Sequence, residues 1–365
     1  MYILQKMDTD KKYFTKQLLQ WNKMQNKRAM PWKGEKDPYK IWLSEIILQQ
    51  TRVEQGWDYY NRFVSTFPNI KKLAAAPEEK VFKLWEGLGY YTRCKNLIAT
   101  AKFIANEKLG KFPDSYEEIL SLKGIGPYTA AAIASFAFNL PHAVVDGNVF
   151  RVLSRFFGID TPTDSTTGKK LFTALAEVLL VKKLPGIYNQ AIMDFGAVIC
   201  KPQNPLCESC PLKTKCKALL EGKVDVLPVK NGKLIKKQRW LYYLIVAYNG
   251  KIYVRKRGAK EIWENLYEFV LLETDKAFSF EEIKNSKFFR NIAGKNKAAM
   301  LHVSKMYKQQ LTHQTIHGNF IQLKVNNEPS LTDYKAVTRK QLKKLPFPKF
   351  ITGYLAENEL KAFER

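Results

Sequence analysis

Four cysteines, Cys200, Cys207, Cys210 and Cys216, fall close together in a C-x6-C-x2-C-x5-C spacing. Four thiolates in one short loop satisfy either a tetrahedral zinc ion or the irons of a cubane cluster, since both want soft anionic ligands. Structural zinc commonly takes two short knuckles. Here Cys207 and Cys210 form one knuckle between wider arms, which favours one 4Fe-4S cluster, with zinc as the alternative. Two disulfides would need an oxidising compartment. The opening MYILQKMDTDKKYF carries no apolar leader and no run approaches a membrane span, so a reducing, cytoplasmic setting is expected. Cys94, alone in YTRCKNLIATAKFIA, reads as a small buried hydrophobe.

Two carboxylates stand in contexts that separate their protonation. Glu45 lies in KDPYKIWLSEIILQQT, where Asp37 can cap a helix that Pro38 opens. Ile41 and Trp42 precede it by a turn and Leu48 and Gln49 follow, so its carboxyl projects from a largely apolar stripe. Desolvation there raises its pKa, and a carboxyl protonated near neutral pH can act as a general acid. The alternative is a glutamate at the wet edge of that stripe. Asp146, in AVVDGNVFRVLSRFF, is placed as a helix N-cap with Val145 and Phe150 as its staple, a position that keeps an aspartate ionised.

A third motif is LKGIGPYTAAAIASFAF, from Leu122. Gly124 and Gly126 permit a tight reversal, and Pro127 spends no amide where a helix start has none to spare. The free N–H groups of such a turn suit a phosphate and read no base. An ordinary helix-loop-helix turn is the alternative.

The elements that must carry these groups follow from the texture of the chain. A length of 365 residues with 45% hydrophobic content exceeds one ordinary core and suggests two domains. Sixty Lys and Arg against 34 Asp and Glu leave a formal charge of +26, spread along the whole length, which points to a polyanionic partner such as nucleic acid. From Tyr13 to about Leu220 the apolar spacing is mostly helical. The expected organisation is a helical domain over 1–222, with a helix-hairpin-helix at about 117–138 and the cysteine loop at 200–216, then a basic connector over 223–239. An α+β domain follows over 240–365. It opens with two strands in LYYLIVAYNGKIYVRKR joined at Asn249-Gly250. Further strands are expected at about 267–273 and 317–325, with short helices near 279–285 and 338–343.

A helix-hairpin-helix, then an aspartate in VVDGNV, then a four-cysteine loop resembles the endonuclease III superfamily of DNA glycosylases. Within it the chain is most similar to the MutY-type adenine DNA glycosylases. The likeness runs through WLSEIILQQT (42–51), WEGLGYYTR (85–93), LKGIGPYTA (122–130), VVDGNVFRV (144–152), YNQAIMDFGAVIC (188–200) and the second domain. It implies that Glu45 protonates a flipped adenine, that Asp146 stabilises or traps the sugar cation, and that Asn148 orients the aspartate or the water. Gln50 and Tyr90 would fill or wedge the duplex, and Arg28, Trp32 and Gln190 would line the adenine pocket. Lys123, Gly124 and Gly126 would meet the DNA backbone. Strand-cutting members carry a lysine at the position of Tyr128; a phenol forms no imine, so base removal without strand scission is implied.

WENLYEFVLLE, from Trp263, resembles the Nudix-like domain of the same family, with Val270 where proline is usual. The metal-binding run R-E-x-x-E-E is absent, which implies lesion recognition without hydrolysis. Leu311, Thr312 and His313 occupy the loop that meets 8-oxoguanine in that family; threonine keeps the serine hydroxyl and adds a methyl. For His313 and His317 a solvated strand end is the alternative. The implied partner is double-stranded DNA with A:8-oxoguanine or A:G mispairs, bound by a monomer away from membranes; a sliding-clamp contact is not legible. A G:T thymine glycosylase and a non-catalytic iron–sulfur DNA-binding protein are the rival readings.

Overall fold

The computed structural model describes residues 8–51, 53–232, 236–294 and 298–361. Residues 1–7 and part of the expected connector (233–235) lie outside the described residues. The chain divides into two compact units, one of residues 1–75 and 96–232, the other of residues 76–95 and 233–365. Packing therefore groups 76–95 with the second unit, whereas the sequence reading places them inside 1–222.

The first unit is helical, and its helices begin and end where local chemistry dictates. Helix α1 (Asp8–Met24) is followed by α2 (Pro38–Leu48), whose N-cap Asp37 accepts from the Tyr39 amide at 2.9 Å and whose first residue is proline. Next come α3 (Val53–Thr66) and α4 (Ile70–Ala74). In the hairpin, α5 (Tyr116–Ser121) is capped by Ser115, and α6 (Pro127–Phe138) opens on Pro127 after Gly126 and closes on Asn139 in the left-handed region. Helix α7 (Gly147–Phe157) is capped by Asp146 and ended by Gly158. Helices α8 (Thr166–Leu179) and α9 (Pro185–Val198) complete the bundle. Its core joins Phe14, Leu18 and Trp21 to Leu153, Phe156, Phe172, Leu175, Ile192 and Phe195. Trp21 meets Phe195 edge-on at 5.0 Å, and each such side chain contributes about 1.5–3 kcal/mol on burial. The connector's first half is fastened to this unit: Val229 accepts from the Thr163 amide at 3.1 Å, and Leu227 accepts from Arg155 Nε at 2.9 Å.

The second unit is organised on β1 (Lys237–Tyr248), which begins inside the expected connector. Its alternate residues supply two cores: Leu241, Tyr243, Ile245 and Ala247 on one face, and Tyr242, Leu244 and Val246 on the other. The expected hairpin forms with β2 (Lys251–Lys256), Tyr248 opposite Lys251, and Asn249 and Gly250 at φ 48° and 67°. The expected strand at 267–273 is two: β3 (Tyr267–Glu268) pairs with β2 and β4 (Val270–Thr274) with β1. Strands β5 (Ala299–Val303), β6 (Tyr307–Gln310) and β9 (Lys335–Val337) are additional to the sequence reading. Strands β7 (Gln314–Gly318) and β8 (Phe320–Lys324) run parallel to β1, covering the expected strand near 317–325 with a break at Asn319. The short helices appear at Phe280–Asn285 and Arg339–Leu342. A further helix, Lys349–Glu357, covers one sheet face through Phe350, Ile351 and Tyr354.

Residues 76–95 join this unit by specific bonds. Lys83 donates to the Leu345 carbonyl at 3.0 Å, Glu86 accepts from the Phe347 amide at 2.8 Å, and Lys95 pairs with Glu264 at 2.6 Å. Sequence proximity to the helical half conceals such long-range partners. Among the described residues no helix is long and apolar enough to cross a membrane.

Candidate active site

Helix α2 is buried almost all round, from Tyr39 to Ile47, and Glu45 is buried with it. The wet-edge alternative is therefore excluded. Burial pushes the Glu45 carboxyl up to about 7, with the nearby Asp146 charge adding to the rise and the Tyr128 hydroxyl opposing it. Glu45 shares a cavity of about 230 Å³ with Trp32, Ser44, Phe136 and Gln190, below the roughly 300–1,000 Å³ of a drug-sized ligand site. Trp32 is fixed by edge contact with Tyr60 at 5.4 Å. Arg28, expected to line the pocket, is not among the residues that line this cavity; its Nη1 lies 2.8 Å from Asp194 Oδ1.

Asp146 caps α7 as expected. Its Oδ1 accepts from the Asn148 and Val149 amides at 2.9 and 2.8 Å, and its Oδ2 from Asn148 Nδ2 at 2.6 Å. Burial raises this carboxyl above its ordinary value, and the three donors oppose that rise by favouring the carboxylate. Asn148 is thus an orienting partner of Asp146. Tyr128, on the first turn of α6, is pushed well above the usual tyrosine range, first by burial and then by the Glu45 and Asp146 charges. Its hydroxyl stays protonated and lies 3.9 Å from Met193 Sδ.

In the hairpin, Gly124 has φ +80°, and a Cβ there would meet the Asn96 side chain at 2.6 Å. Gly126 has an ordinary φ and open space around it, so only the first glycine is demanded by the turn itself. Lys123 is exposed, and its carbonyl accepts from Thr100 at 2.8 Å. Gln50 is exposed just beyond α2 with φ 58°, a left-handed backbone uncommon for a side chain of this kind. In the second unit Tyr90 has the same peculiarity, φ 48°, and its hydroxyl is 3.0 Å from Thr312 Oγ1. Thr312 and His313 form the exposed tip between β6 and β7. The His313 carbonyl anchors that tip by accepting from Lys237 at 3.0 Å. His317 lies within β7, stacked on Trp240 at 5.5 Å, away from the tip.

Cys200, Cys207, Cys210 and Cys216 line one small, largely apolar recess with Ile199, Leu206 and Leu219. No group of three or more His, Cys, Asp or Glu among the described residues is gathered closely enough for a single ion. Burial pushes the Cys210 thiol up to about 12 and raises Cys207 and Cys216. Lys213 stays exposed while donating to the Glu208 carbonyl at 2.7 Å, and Lys215 pairs with Asp10 at 2.9 Å. Cys94 is fully buried with its thiol raised, as a packed hydrophobe should be.

Three residues that support the site are not apparent from sequence. Arg151 spans from Asn148 Oδ1, 2.9 Å, to the Cys200 carbonyl, 2.7 Å. Arg155, a turn later on α7, donates to the Lys201 carbonyl at 2.7 Å and lies 3.5 Å from Cys200 Sγ. Asn189 is buried and holds the segment leading to Asp146, bonding the Val144 amide at 3.1 Å and the His142 carbonyl at 2.9 Å. Arginines i, i+4 on the helix that Asp146 caps, followed by a cysteine loop, were the available signal.

Residues 43–177 match the HhH-GPD superfamily of base excision DNA repair proteins, and residues 241–357 match the NUDIX domain. The adenine DNA glycosylase of Buchnera aphidicola subsp. Baizongia pistaciae is 36% identical over 316 residues, covering 86% of this chain and 86% of its own length. That of Mus musculus is 40% identical over 227 residues, covering 59% of this chain and 44% of its own length. A thermostable thymine-DNA glycosylase aligns with TM-score 0.55 at 29% identity, over 59% of this chain and 99% of its own. A trapped endonuclease III–DNA intermediate aligns with TM-score 0.50 at 22% identity, over 58% of this chain and 98% of its own, a likeness of fold. The helical unit with its buried acid and capped aspartate, the Nudix-like second unit, and the extent of these matches together place the chain in the adenine DNA glycosylase family.

Proposed function

We propose that this chain excises adenine mispaired with 8-oxoguanine or guanine in duplex DNA, leaving an abasic site in an uncut strand. The observation that carries the reading is a carboxyl raised to about 7 inside a base-sized cavity, within electrostatic reach of a second, hydrogen-bonded carboxylate. The glycosidic bond is inaccessible in the stack, so adenine enters the cavity by flipping. Neutral adenine is a poor leaving group; Glu45, protonated near neutral pH, donates to N7 as the bond breaks. Asp146 stabilises the developing oxocarbenium-like sugar, as the second carboxylate does in glycoside hydrolysis, and water completes the reaction. Asn148 keeps Asp146 aimed, and Tyr128 offers a neutral hydroxyl where an amine would be needed to form an imine.

The hairpin at Lys123, Gly124 and Gly126 meets phosphate without reading sequence. Gln50 and Tyr90 occupy the space that the base vacates, a use consistent with their strained backbones. Thr312 and His313 read the 8-oxoguanine opposite. Cys200, Cys207, Cys210 and Cys216 would hold one 4Fe-4S cluster, which supplies a structural clasp. The protein works as a cytoplasmic monomer on DNA.

The thymine-DNA glycosylase likeness supports a second reading, removal of thymine from G:T, but its counterpart accounts for 59% of this chain and leaves the second unit without a role. A panel of duplexes carrying A:8-oxoguanine, A:G, T:G and A:T, each analysed with and without alkali, separates the readings. Alkali-dependent scission at adenine opposite 8-oxoguanine and guanine is expected. Scission at thymine alone would replace the assignment, and scission without alkali would contradict the role given to Tyr128.

A further inference from the structure

Asp194 lies on α9, one helical turn beyond Gln190, and its side chain is wholly buried. Four donors converge on its carboxylate. Oδ1 accepts from Arg28 Nη1 at 2.8 Å and Gln190 Nε2 at 3.0 Å; Oδ2 accepts from Lys33 Nζ and Asn26 Nδ2, both at 2.9 Å. A carboxylate between a guanidinium and an ammonium is acceptor-only, so it fixes which end of the Gln190 amide faces it. The nitrogen points to Asp194, and the carbonyl is left to the cavity that Gln190 lines with Glu45. Among the described residues no protein donor reaches Gln190 Oε1.

We infer that Asp194 is a positioning residue for substrate selection: it locks Gln190 with an acceptor toward the base and so sets a preference for a 6-amino over a 6-oxo purine. The inference rests on the proposed adenine excision. The chemistry is complementary along one edge of the base. Adenine presents N7 as acceptor and N6 as donor, whereas a 6-oxo purine presents two acceptors there. Protonated Glu45 answers N7 in both; Gln190 Oε1 answers only the amine and opposes a keto oxygen. Arg28, held by the same carboxylate, does not line the cavity; Lys33 does, with two of its three N–H groups already given to Asp194 and the Arg28 carbonyl.

The test compares single-turnover excision of adenine and hypoxanthine, each opposite 8-oxoguanine. Asp194→Ala frees the amide to present either end, and the adenine-to-hypoxanthine rate ratio should fall roughly 10- to 100-fold, the scale of one misdirected hydrogen bond in a dry site. The double variant Asp194→Ala/Gln190→Glu returns a buried negative charge to Arg28 and Lys33 and shows the cavity only acceptors. It should restore the ratio, and it provides the test where the single variant does not fold. A single variant that keeps the wild-type ratio while losing rate or melting temperature overturns the inference, as does a double variant that folds with a low ratio. If the wild-type chain releases no adenine, the proposed function fails as well; if it does and the ratios do not move, only the role of Asp194 fails.

Discussion

Glu45→Gln should stabilise the protein, and by an amount that depends on pH. The carboxyl is buried and its pKa stands at about 7 against an ordinary value of 4.5. Folding therefore favours the protonated form, and the unfolded chain releases this proton first as pH rises. Below pH 4.5 both states hold the proton and the group contributes no pH-dependent term. Between 4.5 and about 7 the unfolded state ionises while the folded state resists, so stability drains away; above about 7 the loss is complete and constant. A displacement from 4.5 to about 7 corresponds to about 3 kcal/mol. Glutamine fills the same space without ionising, so its advantage should be near zero at pH 4.5 and rise to at most about 3 kcal/mol by pH 8, several degrees in melting temperature for a domain of this size. Thermal melts of both proteins at half-unit pH steps supply the assay. A melting difference that is flat with pH, or that falls as pH rises, would refute the claim that Glu45 is held protonated by burial.

Tyr128→Lys should introduce an amine into the pocket and allow borohydride to trap a covalent protein–DNA adduct that the wild type does not form. Gly124→Ala should cost about 1–3 kcal/mol from the left-handed backbone and the clash with Asn96, and weaken binding to duplexes of any sequence, measured by melting and by salt-dependent titration. Thr312→Ala removes the hydroxyl that lies against Tyr90, and the preference for A:8-oxoguanine over A:G should shrink by about 1 kcal/mol in relative excision rate. Cys210→Ser should abolish bound iron and visible absorbance; a colourless wild-type protein containing zinc would defeat the cluster assignment.

Much of the catalytic unit was legible because its signals are local. Asp37 with Pro38 announces the helix that carries Glu45, and Asp146 before an amphipathic run announces the second carboxylate. The glycines of the hairpin were legible as a pair, yet only Gly124 answers a backbone demand. Asp194 was missed because an acidic residue within an apolar helix reads as a solvent-facing position; only the return of Arg28 and Lys33 from far upstream shows it to be a buried hub. In the second unit β1 and β2 were legible from their β-branched and aromatic runs and the Asn-Gly turn. Strands β5, β6 and β9 were not, since AMLHV, YKQQ and KAV are short and weakly alternating and are held by pairing with β8, β7 and β2. Residues 76–95 carry a helical pattern that is true locally and silent about which core they serve.

The central claim is that a near-neutral Glu45 supplies the proton for adenine release. Its most direct test is the single-turnover rate of adenine release from an A:8-oxoguanine duplex between pH 5.5 and 9. The rate should be level on the acid side and fall about tenfold per pH unit above about 7, as Glu45 loses the proton it must donate. A rate that stays level or rises through pH 8.5 would contradict the assignment of Glu45 as the acid.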